Sequence, residues 1–251
     1  YDISACLVGS EMCIRDRNWT VNPVGSRERL PATVPGSVYA DLLNNGKLED
    51  PYWRDNELAA LKVMEQDYEY RLRFTPAAGV WSCRRQMLRF EGIDTVADLF
   101  LNGSPLGHTE NMHRIFEFEV TGKLLKGENE LLAVLRSPTR FIREQYEKSP
   151  ADGSSDAMKG FPSLRKAHCM FGWDWGPRLP DAGIWRPIFL RTWDAARLEN
   201  ALMLQAHHDG VVDVTIRPEI AGESAWSAEI TAPDGEVMIL PETTAAEQVV
   251  T

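Results

Sequence analysis

Short segments in which apolar and polar residues alternate constrain the fold of this chain most. Tyr68, Tyr70, Leu72 and Phe74 alternate with charged residues, which is the period of a half-buried β-strand. Strand-like segments recur at 86–91, 95–101, 115–120, 130–136, 184–193, 198–205, 211–217 and 226–231. Because short strands at regular spacing are typical of two packed sheets, the sequence predicts an all-β sandwich.

Turn and helix signals separate these strands. Hairpin-type turn pairs occur at 102–103 (NG), 209–210 (DG) and 234–235 (DG). A short helix is predicted over 37–45, because Ser37 can cap its first turn and Gly46 can end it. An amphipathic helix is predicted over 139–148. Since proline cannot donate to a strand ladder, Pro187 predicts a strand at a sheet edge.

Three parts are expected along the 251 residues. Residues 1–17 show neither period and are predicted to be a non-native or disordered leader. Residues 18–195 are expected to form the first sandwich, and 196–251 the start of a smaller one that is too short to close. The chain ends in an apolar, β-prone stretch, whereas natural ends are usually polar, so we expect it to be part of a longer protein.

The charge balance disfavours several classes of function. Asp and Glu outnumber Lys and Arg by 37 to 27, and a net charge of −10 disfavours both nucleic acid and an anionic membrane surface as partners. The sequence has no zinc-type spacing and no phosphate-binding glycine motif, so neither a metal nor a cofactor is predicted. The four cysteines form no CxxC pair, which favours a reducing compartment. We expect a cytoplasmic protein, or a lysosomal one if the source is eukaryotic.

One irregular stretch is the strongest candidate for a functional site. Residues 161–181 are dense in Trp, Gly, Pro and Arg and follow neither period, and long irregular segments are often functional. Within them, Asp174 stands between Trp173 and Trp175. A carboxylate can accept hydrogen bonds from two sugar hydroxyls, while an indole face covers the C–H side of a pyranose. The alternative is that both Trp residues fill the core and Asp174 stabilises a turn or pairs with Arg178.

A second candidate is the segment 111–114 (NMHR), which precedes a predicted strand. Asn111 and His113 could reach a sugar, or the segment could be a loop that caps the strand. The adjacent pair His168 and Cys169 is interpreted as structural, because neighbouring side chains point in different directions. No two carboxylates are placed by spacing alone as an acid and a nucleophile.

Several motifs in order resemble the β-mannosidases of glycoside hydrolase family 2, and the resemblance covers roughly residues 18–195. They occur at 31–38 (PATVPGSV), 50–52 (DPY), 54–57 (RDNE), 90–95 (FEGIDT), 101–103 (LNG), 111–114 (NMHR), 127–131 (GENEL), 171–180 (FGWDWGPRLP) and 183–187 (GIWRP). Such an ordered set is more specific than any one motif. Residues 1–17 do not fit the family pattern.

The resemblance implies a jelly-roll-like sandwich of the galactose-binding type, followed by a truncated immunoglobulin-like sandwich. The catalytic (β/α)₈ barrel, with its acid/base and nucleophile glutamates, would lie outside this chain. The implied reaction is removal of terminal β-D-mannose with retention, and the implied partners are a β-mannoside or manno-oligosaccharide and the barrel. The substrate-binding residues implied are Asp174, Trp173, Trp175, Arg178, Asn111 and His113.

The sequence also allows other interpretations of the function. The chain could be a stand-alone carbohydrate-binding module, or a structural sandwich whose Trp residues belong to the core. Relatives within the same family, of the β-galactosidase or β-glucuronidase type, share the domain order. The oligomeric state cannot be read from the sequence.

Overall fold

A computed structural model describes residues 9–13, 18–174 and 176–250 of the chain. These residues divide into two compact units, one formed by Glu11–Ala78 and Met87–Arg191 and the other by 9–10, 79–86 and 192–250. Strands predominate in both, so the predicted all-β class is confirmed. The domain boundaries predicted at 18–195 and 196–251 stay predictions.

The first ten strands form two sheets. They are β1 Gly9–Cys13, β2 Trp19–Pro23, β3 Leu30–Ala32, β4 Tyr68–Phe74, β5 Arg85–Phe90, β6 Val96–Leu101, β7 Ser104–Glu110, β8 Phe116–Glu119, β9 Asn129–Leu135 and β10 Ile188–Trp193. The larger sheet has the order β3-β2-β4-β9-β6-β7 and is antiparallel throughout. The smaller sheet has the order β1-β10-β5-β8.

The centre of the larger sheet shows why the alternating pattern predicts strands. In β4, Tyr68, Tyr70, Leu72 and Phe74 are all buried, and the charged residues between them are not. Leu72 lies directly opposite Leu131 of β9, and both side chains are fully buried. Each strand therefore stabilises the sheet through its apolar face, by about 25 cal/mol per Å² removed from water.

Three helices accompany the sheets: α1 Val38–Asn44, α2 Glu57–Val63 and α3 Pro138–Lys148. The predicted cap of α1 is confirmed, because the Ser37 hydroxyl accepts a hydrogen bond from the Ala40 N–H at 3.4 Å. The helix predicted over 139–148 is also confirmed as α3, which Ser137 caps. The sequence pattern did not predict α2. No helix within the described ranges is long and apolar enough to cross a membrane.

The edge position predicted for the strand near Pro187 is wrong. β10 begins at Ile188 and lies between β1 and β5. Pro187 precedes the strand, and its carbonyl accepts a hydrogen bond from the Glu91 N–H at 3.0 Å. The proline therefore removes no hydrogen bond from the ladder, and an interior position is allowed.

The second unit contains the remaining strands: β11 Arg197–His208, β12 Val211–Ala221, β13 Trp226–Thr231, β14 Val237–Thr243 and β15 Gln248–Val250. They form one sheet with the order β11-β12-β15 and a β13-β14 pair. Gly210 and Gly235 have φ values of +82° and +90°, as the predicted DG turns require. The immunoglobulin-like identity of this unit stays a prediction. Of the predicted leader, 1–8 and 14–17 lie outside the described residues, and 9–13 form β1.

Candidate functional site

The Trp-Asp-Trp segment lies at an exposed turn. Trp173 and Gly176 form an isolated antiparallel bridge, which places Asp174 in the turn between them. The Asp174 side chain is exposed, and Trp173 retains 38% of its accessible surface. Trp175 lies outside the described residues. A ligand can therefore approach the carboxylate directly.

A buried aromatic residue anchors the first side of this turn. Phe171 is fully buried in an apolar cluster with Ile142, Phe161 and two further side chains, and its carbonyl accepts from the Met158 N–H at 2.9 Å. Gly172 follows with a φ of +88°, and a Cβ there would lie 2.5 Å from Cγ of Arg178. Glycine is therefore required where the chain leaves the core and enters the turn.

Arg178 braces the second side of the turn. Its backbone N–H donates to Oε1 of Glu57, the first residue of α2, at 3.0 Å. Its guanidinium Nη2 donates to the carbonyl of Asp156 at 2.9 Å. These contacts hold the turn between α2 and the loop that follows α3. The sugar-binding role predicted for Arg178 stays a prediction.

A buried ion pair involves the same irregular stretch, at Lys166. Lys166 is 2% exposed, and its Nζ donates to Oδ2 of Asp94 and, at 2.7 Å, to the carbonyl of Asp181. Asp94 and Gly183 exchange two backbone hydrogen bonds, of 2.8 and 2.9 Å. Lys166 lies within the irregular stretch and Asp181 ends it, so this cluster joins two points of the stretch to Asp94, which leads into β6.

Burial has the largest influence on the pKa values of Asp181 and Lys166. It raises the pKa of Asp181 to about 6, although hydrogen bonds from Ser37 and from the N–H groups of Tyr39 and Ala182 favour the ionised form. It lowers the pKa of Lys166, although the Asp94 carboxylate opposes the shift. The cluster is held by a few specific polar contacts. Their strength depends on the protonation of Asp181 and Lys166.

The second predicted motif lies beside the same stretch. Asn111 forms an isolated parallel bridge with Arg165, and the Met112 N–H donates to the Arg165 carbonyl at 3.0 Å. The Asn111 Oδ1 accepts from the backbone N–H of His113 at 2.9 Å, and the His113 side chain is exposed. The structure thus joins this motif to the residue that precedes Lys166. Its contact with a sugar stays a prediction.

Four residues that hold the stretch carrying the turn were not predicted from the sequence: Glu57, Asp94, Lys166 and Asp181. No local pattern distinguishes a buried lysine from an exposed one, because its burial depends on partners distant in the chain. The His168 ring packs edge-on against Phe161 at 4.8 Å, and Cys169 is exposed, so the structural interpretation of this pair stays a prediction. Among the described residues, no group of three or more His, Cys, Asp or Glu could hold a metal.

Comparisons with known proteins agree with this geometry. The model of the glycosyl hydrolase 2 galactose-binding domain-like family matches residues 19–186. The β-mannosidase of Mus musculus is 28% identical over 239 residues, which cover 91% of this chain and 26% of the mouse protein. The β-mannosidase of Bos taurus is 32% identical over 189 residues, which cover 72% of this chain and 21% of the bovine protein.

A solved structure extends the likeness to the fold. The β-D-mannosidase of Dictyoglomus thermophilum superposes with a TM-score of 0.79 at 29% identity, covering 100% of this chain and 30% of that one. The chain thus spans about a quarter of the length of the curated relatives it matches. From the matched segment 19–186, which includes the exposed turn and its buried support, we conclude that this chain belongs to the glycosyl hydrolase 2 galactose-binding domain-like family.

Proposed function

We propose that this chain is the amino-terminal portion of a β-mannosidase, which removes terminal, non-reducing β-D-mannose with retention. The observation that carries the proposal is the exposed Asp174 carboxylate, held on a braced turn within the matched family segment. Two of the similar proteins are mammalian β-mannosidases, and a bacterial β-D-mannosidase shares the fold at 29% identity. Both findings support the mannosidase assignment over other members of the family.

In this proposal, Asp174 accepts hydrogen bonds from two neighbouring hydroxyls of the terminal mannose. A carboxylate acceptor contributes about 1.5–3 kcal/mol per hydrogen bond, so one residue can decide which hydroxyl arrangement is bound. Trp173 and Trp175 cover the C–H face of the ring. Arg178, Asn111 and His113 supply further contacts with the sugar.

The reacting carboxylates belong to another part of the protein in this proposal. Retaining hydrolysis needs two carboxyl groups about 5–5.5 Å apart, one as acid/base and one as nucleophile. We assign these groups to a barrel outside this chain, so the chain alone is expected to be inactive. Its task is to recognise the substrate and to support the barrel, with no metal or cofactor involved. The cytoplasmic or lysosomal location stays a prediction.

A substrate panel with the full-length protein tests the proposal. We expect kcat/KM for p-nitrophenyl β-D-mannoside to exceed the values for the β-galactoside and the β-glucuronide by about 100-fold or more, because unpaired polar groups in the site disfavour the wrong hydroxyl arrangement. The first sugar product seen by NMR should be β-mannose. A preference for the galactoside or the glucuronide, or α-mannose as the first product, would contradict the proposal.

A further inference from the structure

Two aromatic side chains in the loop that precedes α2 are unusually exposed. Tyr52 and Trp53, in the loop between α1 and α2, retain 75% and 62% of their accessible surface. Large aromatic rings on a surface often mark a binding site, since each buries 150–250 Å² when it is covered. The fold of the unit does not need these two rings, because neither belongs to its buried core.

The loop that carries the two rings is held firmly by hydrogen bonds. The Tyr52 N–H donates to Oδ1 of Asp50 at 2.9 Å, and the Trp53 N–H donates to the Asp50 carbonyl at 3.1 Å. The Asn56 side chain donates to the same carbonyl at 2.9 Å. The Arg54 guanidinium lies 5.4 Å from the centre of the Trp53 ring. Binding to these rings would therefore cost little ordering of the backbone.

A direct contact links this loop to the turn that carries Asp174. Glu57 follows the loop immediately, and its Oε1 accepts the hydrogen bond from the Arg178 N–H. The hydrogen bond between Arg178 and Glu57 thus lies within five residues of the aromatic pair in one segment and of Asp174 in the other. Displacement of one segment would disturb the other.

We propose that Trp53 and Tyr52 form a stacking surface for the sugar that follows the terminal mannose, on the leaving-group side of the bond that is cleaved. This inference rests on the proposed function. Because an enzyme that removes a terminal sugar encloses only that sugar, the rest of an oligosaccharide must extend away from Asp174. The aromatic faces match the C–H faces of a pyranose, and Arg54, Asp55 and Asn56 supply polar groups for its hydroxyls.

The test compares two substrates of the full-length protein that differ only on the leaving-group side. β-D-Mannosyl fluoride has no second ring, whereas β-1,4-mannotriose has two further sugars. We expect Trp53→Ala to lower kcat/KM for mannotriose by about tenfold, equivalent to about 1.4 kcal/mol of transition-state stabilisation, and to change the value for the fluoride by less than about twofold. Tyr52→Ala should act in the same direction.

Two further variants separate stacking from general damage. Trp53→Phe keeps a flat ring and should restore activity on mannotriose to within about threefold of the wild type. Leu125→Ala removes another exposed apolar side chain of the same unit, 53% exposed, and should change neither substrate.

The outcomes distinguish the stacking surface from the mannosidase assignment. Equal losses on both substrates, or no loss on either, would overturn the stacking surface and leave the assignment intact. A wild-type protein that hydrolyses neither substrate would overturn the assignment and the stacking surface with it.

Discussion

The larger sheet and the irregular stretch at 161–181 are held together by different forces, although both belong to the same unit. In the sheet, apolar side chains such as Leu72 and Leu131 are fully buried, and each adds its own share of hydrophobic stabilisation. In the stretch, Nζ of the buried Lys166 contacts the Asp94 carboxylate and the backbone carbonyl of Asp181. Apolar contacts tolerate small shifts, whereas a buried ion pair requires one geometry. We infer that the charged cluster fixes the position of the turn. The sheet supplies the hydrophobic stabilisation of the unit that carries it.

The largest effect is expected at the charged cluster. Lys166→Ala should lower the free energy of unfolding by about 3–5 kcal/mol, because it leaves the Asp94 carboxylate buried without its partner. Urea unfolding of the 251-residue chain measures this loss. Removing the second charge as well, in Lys166→Met with Asp94→Asn, should recover part of it. A loss below about 1 kcal/mol for the single variant would show that the ion pair contributes little.

A somewhat smaller loss is expected in the sheet. Leu72→Ala should lower the free energy of unfolding by about 3 kcal/mol, because it removes buried methyl groups and leaves a cavity opposite Leu131. The same urea experiment applies. This loss should not depend on pH, whereas the loss for Lys166→Ala should. If both variants showed the same pH dependence, the distinction between the two regions would fail.

We assign a pH dependence of the free energy of unfolding to Asp181. Its folded-state pKa of about 6 lies above the ordinary 3.8, so the folded protein keeps a proton that the unfolded chain has lost between these values. The contribution of Asp181 to stability therefore falls as the pH rises from about 4 to about 6. Relative to the wild type, Asp181→Asn should gain about 2–3 kcal/mol over this range. A constant difference between the two proteins would contradict the raised pKa.

The sheet could be predicted from the sequence because its cause is local. The residues of β4 alternate as the strand requires, and the glycines at 103, 210 and 235 stand where positive φ values occur. A single capping serine, Ser37, predicted the first helix for the same reason. Pro187 misled because the lack of an N–H matters only inside a ladder, and the strand starts one residue later.

The site could be predicted only in part. The Trp-Asp-Trp motif identified the turn, and its chemistry can be argued from three neighbouring residues. Its support could not be predicted, because Lys166 contacts Asp94, 72 positions away, and Arg178 contacts Glu57, 121 positions away. Asn56 occupies the N-cap position of α2 but donates its side-chain amide to the Asp50 carbonyl instead of capping the helix, and only Ala60 of the helix is buried, so the apolar pattern that would predict it is weak.

The most direct test of the central claim is kcat/KM of Asp174→Ala in the full-length protein with a β-mannoside. Loss of two charged hydrogen bonds of about 1.5 kcal/mol each predicts a decrease of about 100-fold or more. Asp209→Ala, which removes an exposed aspartate from a turn of the other unit, should leave the value unchanged. A value for Asp174→Ala within about twofold of the wild type would contradict the claim that this carboxylate binds the sugar.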